Sequence, residues 1–507
     1  MRTAEVVGSL CLATDLGMGL PFGLGLGSTV VAMRLADRLG VDQAEAVQTY
    51  YGCLLFYAGC TADADVQADL FPDGLSKHWT AVMFGSQRQS MAGVFRALGS
   101  GDGGRIRRTV RAAVKLPRAG RGYEHHTEAL CEVAEMLATG VGLPPSVSGL
   151  FRLLTERWDG GGPLRRAAGA DLPLAIRIVH VARDANFQRF LHGPARAVEV
   201  VRERAGGAFD PEVVDALSVA MLDEPADWAA AMDAEPRPHL TIRGAQIDDA
   251  LTALAAFADL ADVIGHSSGV AELAARAAKH LGQSDDEVTA IRRAALVHDL
   301  GKVGVPFRIW QHDGARSADD WEKIRMHPYY TERTLSGSPY VTELAQVAGC
   351  HHERLDGSGY HRGTSAAGLA PPARLLAAAD AYRSTIETRP GRPGLTAEAV
   401  AGDLRAAARA GTLDPDAVAA VLEAAGHRPE RIARPDGLTP REERTLTLLA
   451  QGLATKQIGR ALGVTPKTAD HYVQRVYAKI GVATRAAAAV YAMQRGLASN
   501  TTREFPR

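Results

Sequence analysis

Four segments of this chain recur in the same order further along it, and an internal repeat limits the fold more than any composition can. GCLLFYAGCTA, from Gly52, aligns without gaps to AALVHDLGKVG, from Ala294; the Leu-Gly ahead of it, Leu39-Gly40 and Leu281-Gly282, keeps the same offset of 242. ERWDGGG from Glu156 matches ERLDGSG from Glu353. PLAIRIVHVA (Pro173 to Ala182) matches APPARLLAAA (Ala370 to Ala379) through Arg177 and Arg374. RAGGAFDPEVV from Arg204 matches RAGTLDPDAV from Arg409 with one gap. Chance does not readily order four such matches, so the chain contains two copies of one unit. The offset falls from 242 to 197 after the first match, so the first copy carries 45 additional residues. That insert includes the basic stretch Arg105 to Arg121, read as a solvated helix face, and His125-His126, read as surface residues.

At 507 residues the chain exceeds what one core can organise and predicts three domains. Long Ala/Leu/Val-rich amphipathic stretches dominate and no alternating series marks strands. The expected fold class is all-α, with two tandem helical domains (1–233 and 240–430) followed by a small one (437–498). Breakers at Glu235-Pro236-Arg237-Pro238 and Arg434-Pro435-Asp436-Gly437 predict the linkers. Residues 16–33 carry no ionised side chain, but glycines and Pro21 interrupt them, and Arg2 upstream is offset by Glu5 and Asp15. Neither a signal peptide nor a spanning helix is predicted, and no membrane partner. Cys11, Cys53, Cys60, Cys131 and Cys350 show no C-x-x-C spacing and no pairing framework, which fits a reducing cytoplasm and argues against a structural cysteine zinc site.

The second copy contains an ordered series of imidazoles and carboxylates: His266, His298-Asp299, His327, His351-His352 and Asp380. Such borderline ligands suit a dinuclear iron, manganese or zinc centre rather than calcium. An aspartate can bridge two metals and so set up in-line attack of water on phosphorus. His298-Asp299 is expected inside an apolar helix, where ligation would offset the cost of burying the pair. Lys302, one helical turn on, is placed to neutralise phosphate charge. His280 and His312 read as surface or packing residues, and Asp262 as a solvent-facing acid and only a weak further ligand.

HSSGVA, HDLGKVGVP, His327-Pro328, HHERLDGSGY and AAADAY, in that order, resemble the HD-GYP subgroup of HD-domain phosphohydrolases over roughly Ile242 to Pro429. The resemblance implies two or three divalent transition metals, iron or manganese first, and hydrolysis of a phosphodiester, typically cyclic di-GMP. By position it implies His266, His298, Asp299, His327, His351, His352 and Asp380 as metal ligands and Asp299 and Lys302 as catalytic. Lys302, Tyr360 and Arg389 would contact the substrate. One departure is that the signature Gly-Tyr-Pro reads Gly359-Tyr360-His361, which removes a proline that stiffens the loop.

In the first copy the same columns hold Leu24 for His266, Phe56-Tyr57 for His298-Asp299 and Cys60 for Lys302. Leu154-Thr155 replace His351-His352, and Arg183 replaces Asp380. That copy is expected to be degenerate, kept for sensing, dimerisation or support.

From Asp436 onward there are eleven Lys/Arg against five Asp/Glu, so a basic terminal module is attached to an acidic body. Thr439, Pro440 and Glu442 make a capping box, and a helix over Thr455 to Leu462 stops at Gly463. Thr465 and Pro466 start the next helix, whose Ala469, Val473, Val476 and Ile480 should face a core. Its other face, with Thr465 at the cap, shows Lys467, Thr468, His471, Gln474, Arg475 and Lys479, a stripe suited to phosphates and base edges in double-stranded DNA; Asp470 departs from it. The segment is similar to the LuxR-type helix-turn-helix over roughly residues 437–498. That likeness implies a major-groove helix and a last helix, Ala486 to Met493, that supports a homodimer. The expected function is a transcriptional regulator carrying a cyclic-dinucleotide phosphodiesterase. The alternatives are a non-catalytic nucleotide sensor and a hydrolase of another nucleotide.

Overall fold

A computed structural model of the chain describes residues 1–59, 92, 127–224, 226–495 and 497. Cys60, Arg105 to Arg121 and His125-His126 lie outside the described residues. Among the described residues the secondary structure is helical, with isolated bridges such as Arg2 to Thr241 but no strand. Two compact units form, and they do not follow chain order. The first comprises Met1–Asp262, Leu300–His312 and Arg333–Thr342; the second comprises Val263–Asp299, Asp313–Glu332 and Glu343–Arg507.

In the first unit, α2 (Leu24–Leu39), α3 (Gln43–Leu54) and α4 (Leu174–His192) share one core, with α2 lying against both α3 and α4, and α1 (Thr3–Gly17) packs on α2 and α3. The glycines of residues 16–33 serve this packing. Oδ2 of Asp15 accepts the N–H groups of Gly23 and Gly25 at 3.1 Å each, which satisfies donors that a helix start leaves open. A Cβ at Gly25 would stand 2.3 Å from Cys11 Sγ, so only glycine admits this approach. No described helix is long and apolar enough to cross a membrane. Glu235, placed by the sequence in a linker, is instead 3% exposed. It accepts Tyr51 Oη at 2.7 Å and Arg2 Nε at 2.6 Å, because a buried carboxylate must find donors wherever the chain puts it.

In the second unit, α5 (His266–His280) packs on α6 (Asp285–Leu296), α7 (Pro371–Ile386) and α8 (Pro415–Ala424). The duplication is visible in bonds as well as letters. Arg177 pairs with Asp210 at 2.7 Å in the first unit, and Arg374 with Asp414 at 3.1 Å in the second. Both aspartates cap a helix that begins with proline. Trp158 N–H donates to Ala208 at 3.2 Å and Leu355 N–H to Thr412 at 2.9 Å, at matching positions. Gly162 and Gly359 share another column, and a Cβ at either would come within 2.5 Å of its neighbours.

The terminal module, α9 (Pro440–Ala450), α10 (Thr455–Leu462), α11 (Pro466–Ile480) and α12 (Arg485–Gln494), encloses Leu446, Leu449, Ile458, Ala469, Val473, Val476, Ala488 and Ala492. The Thr439–Glu442 capping box is formed, and Gly463 closes α10 at φ 64°. This module meets the rest of the second unit at Arg434, whose guanidinium bridges Asp416 and Glu443. Leu497 also packs on the cluster of Leu355, Ala366 and Leu369.

Candidate metal centre and DNA-reading module

Three of the imidazoles are held the same way. His298 lies two residues past α6, His327 two past the helix Ala318–Arg325, and His351 three past the helix Pro339–Ala348. A helix end leaves its last carbonyls without intrahelical donors. Each ring supplies one through Nδ1: His298 to Ala295 at 2.7 Å, His327 to Ile324 at 2.6 Å and His351 to Ala348 at 2.6 Å. That bond sets the tautomer and leaves Nε2 to face inward as a ligand atom. The sequence places His298-Asp299 inside a helix. It lies just beyond one, because the ring there caps the last turn, and Thr331 Oγ1 holds the His298 carbonyl at 2.9 Å.

The rings converge on Asp299. Its Oδ2 is 3.4 Å from His266 Nε2 and 3.2 Å from His298 Nε2; its Oδ1 is 3.4 Å from His327 Nε2 and 3.5 Å from His351 Nε2. Each oxygen therefore faces a different imidazole pair. Asp380 adds Oδ1 at 3.3 Å from His266 and 3.8 Å from His298, and Oδ2 at 3.8 Å from His352 Nδ1. The donor atoms fall into overlapping sets, His266–His298–Asp380, His298–Asp299–His351 and His327–His351–His352, each within a span of 4.8 Å. His298 Nε2 and Asp380 Oδ2 are buried without a hydrogen-bond partner, as unfilled ligand positions would be. The residues fit the binding of divalent metal. Burial and the neighbouring His298 push His351 down to about 3, so the ring stays a neutral ligand. Burial opposes ionisation of Asp380, but the His266 hydrogen bond and the surrounding imidazoles outweigh it and hold the carboxyl well below its usual range.

The candidate ligand side chains are all but sealed except His352, which is 21% exposed and marks the open side of the cluster. Tyr360 lies over that ring, centroids 4.6 Å apart, and its peptide to His361 is cis. Arg389 stands 3.7 Å from Glu387. Lys302, in the first unit, donates to Asp262 at 3.0 Å and lies 5.3 Å from the Trp310 ring. Asp262 is not the solvent-facing acid the sequence suggests: its side chain is 4% exposed and neutralises a buried ammonium. His280 does sit at the surface, paired with Glu423 at 3.3 Å.

Glu387 was not legible as a site residue. Its Oε2 lies 2.6 Å from His266 Nδ1, and its Oε1 forms an ion pair with Arg383 at 2.7 Å. The available signal was periodicity, since Asp380, Arg383 and Glu387 follow at i, i+3 and i+7, a single helical face.

The same columns of the first unit hold a guanidinium. Arg183, 2% exposed, stacks 4.3 Å over Phe56 and 3.7 Å over Tyr57 and donates to the Cys53 carbonyl at 3.0 Å. Leu24, Tyr57 and Phe187 close the remaining space.

On the reading helix α11, Ala469, Val473 and Val476 are buried, while Lys467, His471, Gln474 and Arg475 are exposed. Thr465 caps the helix by accepting Thr468 N–H at 3.2 Å. Lys479 is exposed but engaged, donating to Glu442 at 2.6 Å and to the Gly437 carbonyl at 2.8 Å.

Residues 250–417 match the HD domain family, and residues 436–492 match bacterial regulatory proteins of the luxR family. The chain is 27% identical to 3′3′-cGAMP-specific phosphodiesterase 3 of Vibrio cholerae, over 77% of this chain and 88% of that protein. It is 36% identical to a cyclic di-GMP phosphodiesterase of Thermotoga maritima over 25% of this chain. It is also 34% identical to the cyclic di-GMP phosphodiesterase response regulator RpfG of Xanthomonas campestris over 30%. The chain spans only 34% and 41% of those two proteins. Among solved structures, a V. cholerae cyclic GMP-AMP phosphodiesterase (V-cGAP3) superimposes with a TM-score of 0.58 at 22% identity, covering 85% of this chain and 99% of that one. The likeness in fold thus extends beyond the HD segment into the first copy. This chain carries an HD domain followed by a DNA-binding domain of the bacterial luxR family.

Proposed function

We propose that the chain is a transcriptional regulator whose second copy hydrolyses a cyclic dinucleotide at a two-metal centre. The observation that carries this reading is the Asp299 carboxylate, with each oxygen facing its own pair of imidazoles. Bound there, two cations, iron or manganese first, would supply a nucleophilic water and neutralise charge on phosphorus. His266, His298 and Asp380 would hold one, His327, His351 and His352 the other, and Asp299 both. Tyr360, lying on His352 at the open side, is placed to meet a base or ribose. Arg389 supports phosphate recognition. Relatives acting on cyclic di-GMP and on 3′3′-cGAMP make these the two substrates to compare.

α11 would enter the major groove of DNA, with Lys467, Thr468, His471, Gln474 and Arg475 on the duplex. Ala486, Val490 and Met493, exposed along α12, support a homodimer. A second reading, nucleotide binding without turnover, is favoured by the pairing of Lys302 with Asp262, which occupies an ammonium otherwise expected on phosphate.

The test is metal content together with turnover of both dinucleotides, in the wild type and in Asp299→Ala. Bound metal and hydrolysis in the wild type, both lost in the variant, are expected. Metal without turnover of either dinucleotide would leave the second reading in place, and a wild type that takes up no transition metal would overturn the proposal.

A further inference from the structure

His266 cannot be held as the other three imidazoles are. The helix before it ends at Asp259, seven residues back, so no last-turn carbonyl lies three residues behind the ring. Its Nδ1 turns instead to Glu387 Oε2 at 2.6 Å. A ligating histidine needs its second nitrogen engaged to fix tautomer and ring orientation.

We propose that Glu387, backed by Arg383, is the positioning residue that aims His266 at the metal; the inference rests on the two-metal reading above. The Glu387 carboxylate accepts the Nδ1–H at 2.6 Å and so turns Nε2 toward Asp299 and Asp380. Arg383, one turn back on α7, holds the other carboxylate oxygen at 2.7 Å. Space for that guanidinium comes from Gly269, one turn along α5 from His266. A Cβ there would stand 2.5 Å from Arg383 Nη2 and 2.7 Å from its Cζ. Glycine at the fourth position of α5, arginine at i+3 from Asp380 and glutamate at i+7 thus form one device. The positioning partner of His266 is the residue that caps the C-terminal end of the helix supplying Asp380, so one element and its cap would set two ligands of one cation.

The experiment is a Mn2+ titration of the metal-stripped full-length protein and of three variants. Glu387→Ala is expected to weaken Mn2+ binding by about 10–100-fold, the usual cost of losing a histidine's outer partner. Glu387→Gln, which keeps an acceptor oxygen and nearly the same shape, should recover most of that loss. Gly269→Ala touches no ligand and favours helix, so it should weaken binding several-fold, by displacing Arg383, while thermal stability holds or rises. Mn2+ affinity within twofold of wild type in Glu387→Ala and Gly269→Ala would overturn the positioning role while leaving the two-metal reading intact. If Glu387→Ala does not fold, Gly269→Ala decides: Mn2+ affinity within twofold of wild type there overturns the proposal. A wild type that binds no Mn2+, Fe2+ or Zn2+ would bring down both readings together.

Discussion

At the scale of single residues, Asp299 would, as proposed, serve two cation positions, and this gives an ordered set of outcomes. His266 and His327 face opposite oxygens of Asp299. Each changed to Ala should remove one metal equivalent, whereas Asp299→Asn should remove both. Elemental analysis of the three purified variants distinguishes this from three equal losses. In the first unit, Asp15 carries a separate prediction. Burial pushes its carboxyl from 3.8 up to about 7, against the Gly25 hydrogen bond and the nearby Arg183. Between those two values the folded chain keeps a proton that the unfolded chain has lost, so stability falls as pH rises through that window. The contribution is whole below the lower value and gone above the upper. Asp15→Asn should flatten the slope of urea stability between pH 4 and pH 7; an unchanged slope would assign the pH dependence to other groups.

At the scale of elements, the helix ends explain what the sequence could disclose. The side chains that converge on Asp299 were legible because His and Asp recur in an order that a shared site rationalises. Their local setting was not, since a ring that caps its own helix looks, in letters, like a ring inside one. Glu387 was missed because a glutamate on an amphipathic helix ordinarily meets water. In the first copy the letters showed a loss, and the structure shows a substitution: Arg183 on Phe56 and Tyr57 puts a fixed guanidinium where the other copy gathers ligands. Arg183→Met should therefore destabilise the fold by about 2–4 kcal/mol, the scale of a desolvated cation–π stack plus a charged hydrogen bond, measured by urea unfolding. On α11, Lys467→Ala and Arg475→Ala should each reduce the salt slope of DNA binding by about 1. Lys479→Ala should leave that slope alone and lower the stability of the module by about 1 kcal/mol, because Glu442 loses its partner. A salt slope that falls equally in all three would place Lys479 on DNA after all.

At the scale of the whole molecule, the repeat foresaw two copies but not their interleaving. Leu300–His312 and Arg333–Thr342 of the later copy belong to the first compact unit, an exchange no pattern of letters announces because each segment alone reads as ordinary helix. Equally hidden was the seat of the reader. The loop that carries His351, His352 and Tyr360 also carries Leu355, and Leu355 belongs to the cluster on which Leu497 packs. On the proposed reading, one short stretch of backbone would face a dinucleotide on one side and the terminal module on the other. Free energy passed along such a stretch is symmetric: whatever factor a dinucleotide imposes on operator affinity, the operator must impose on dinucleotide affinity. Dinucleotide Kd measured with and without a DNA site selected by the protein itself reads that factor from the unexpected end. Identical values would show that the two customers of the loop never hear of one another.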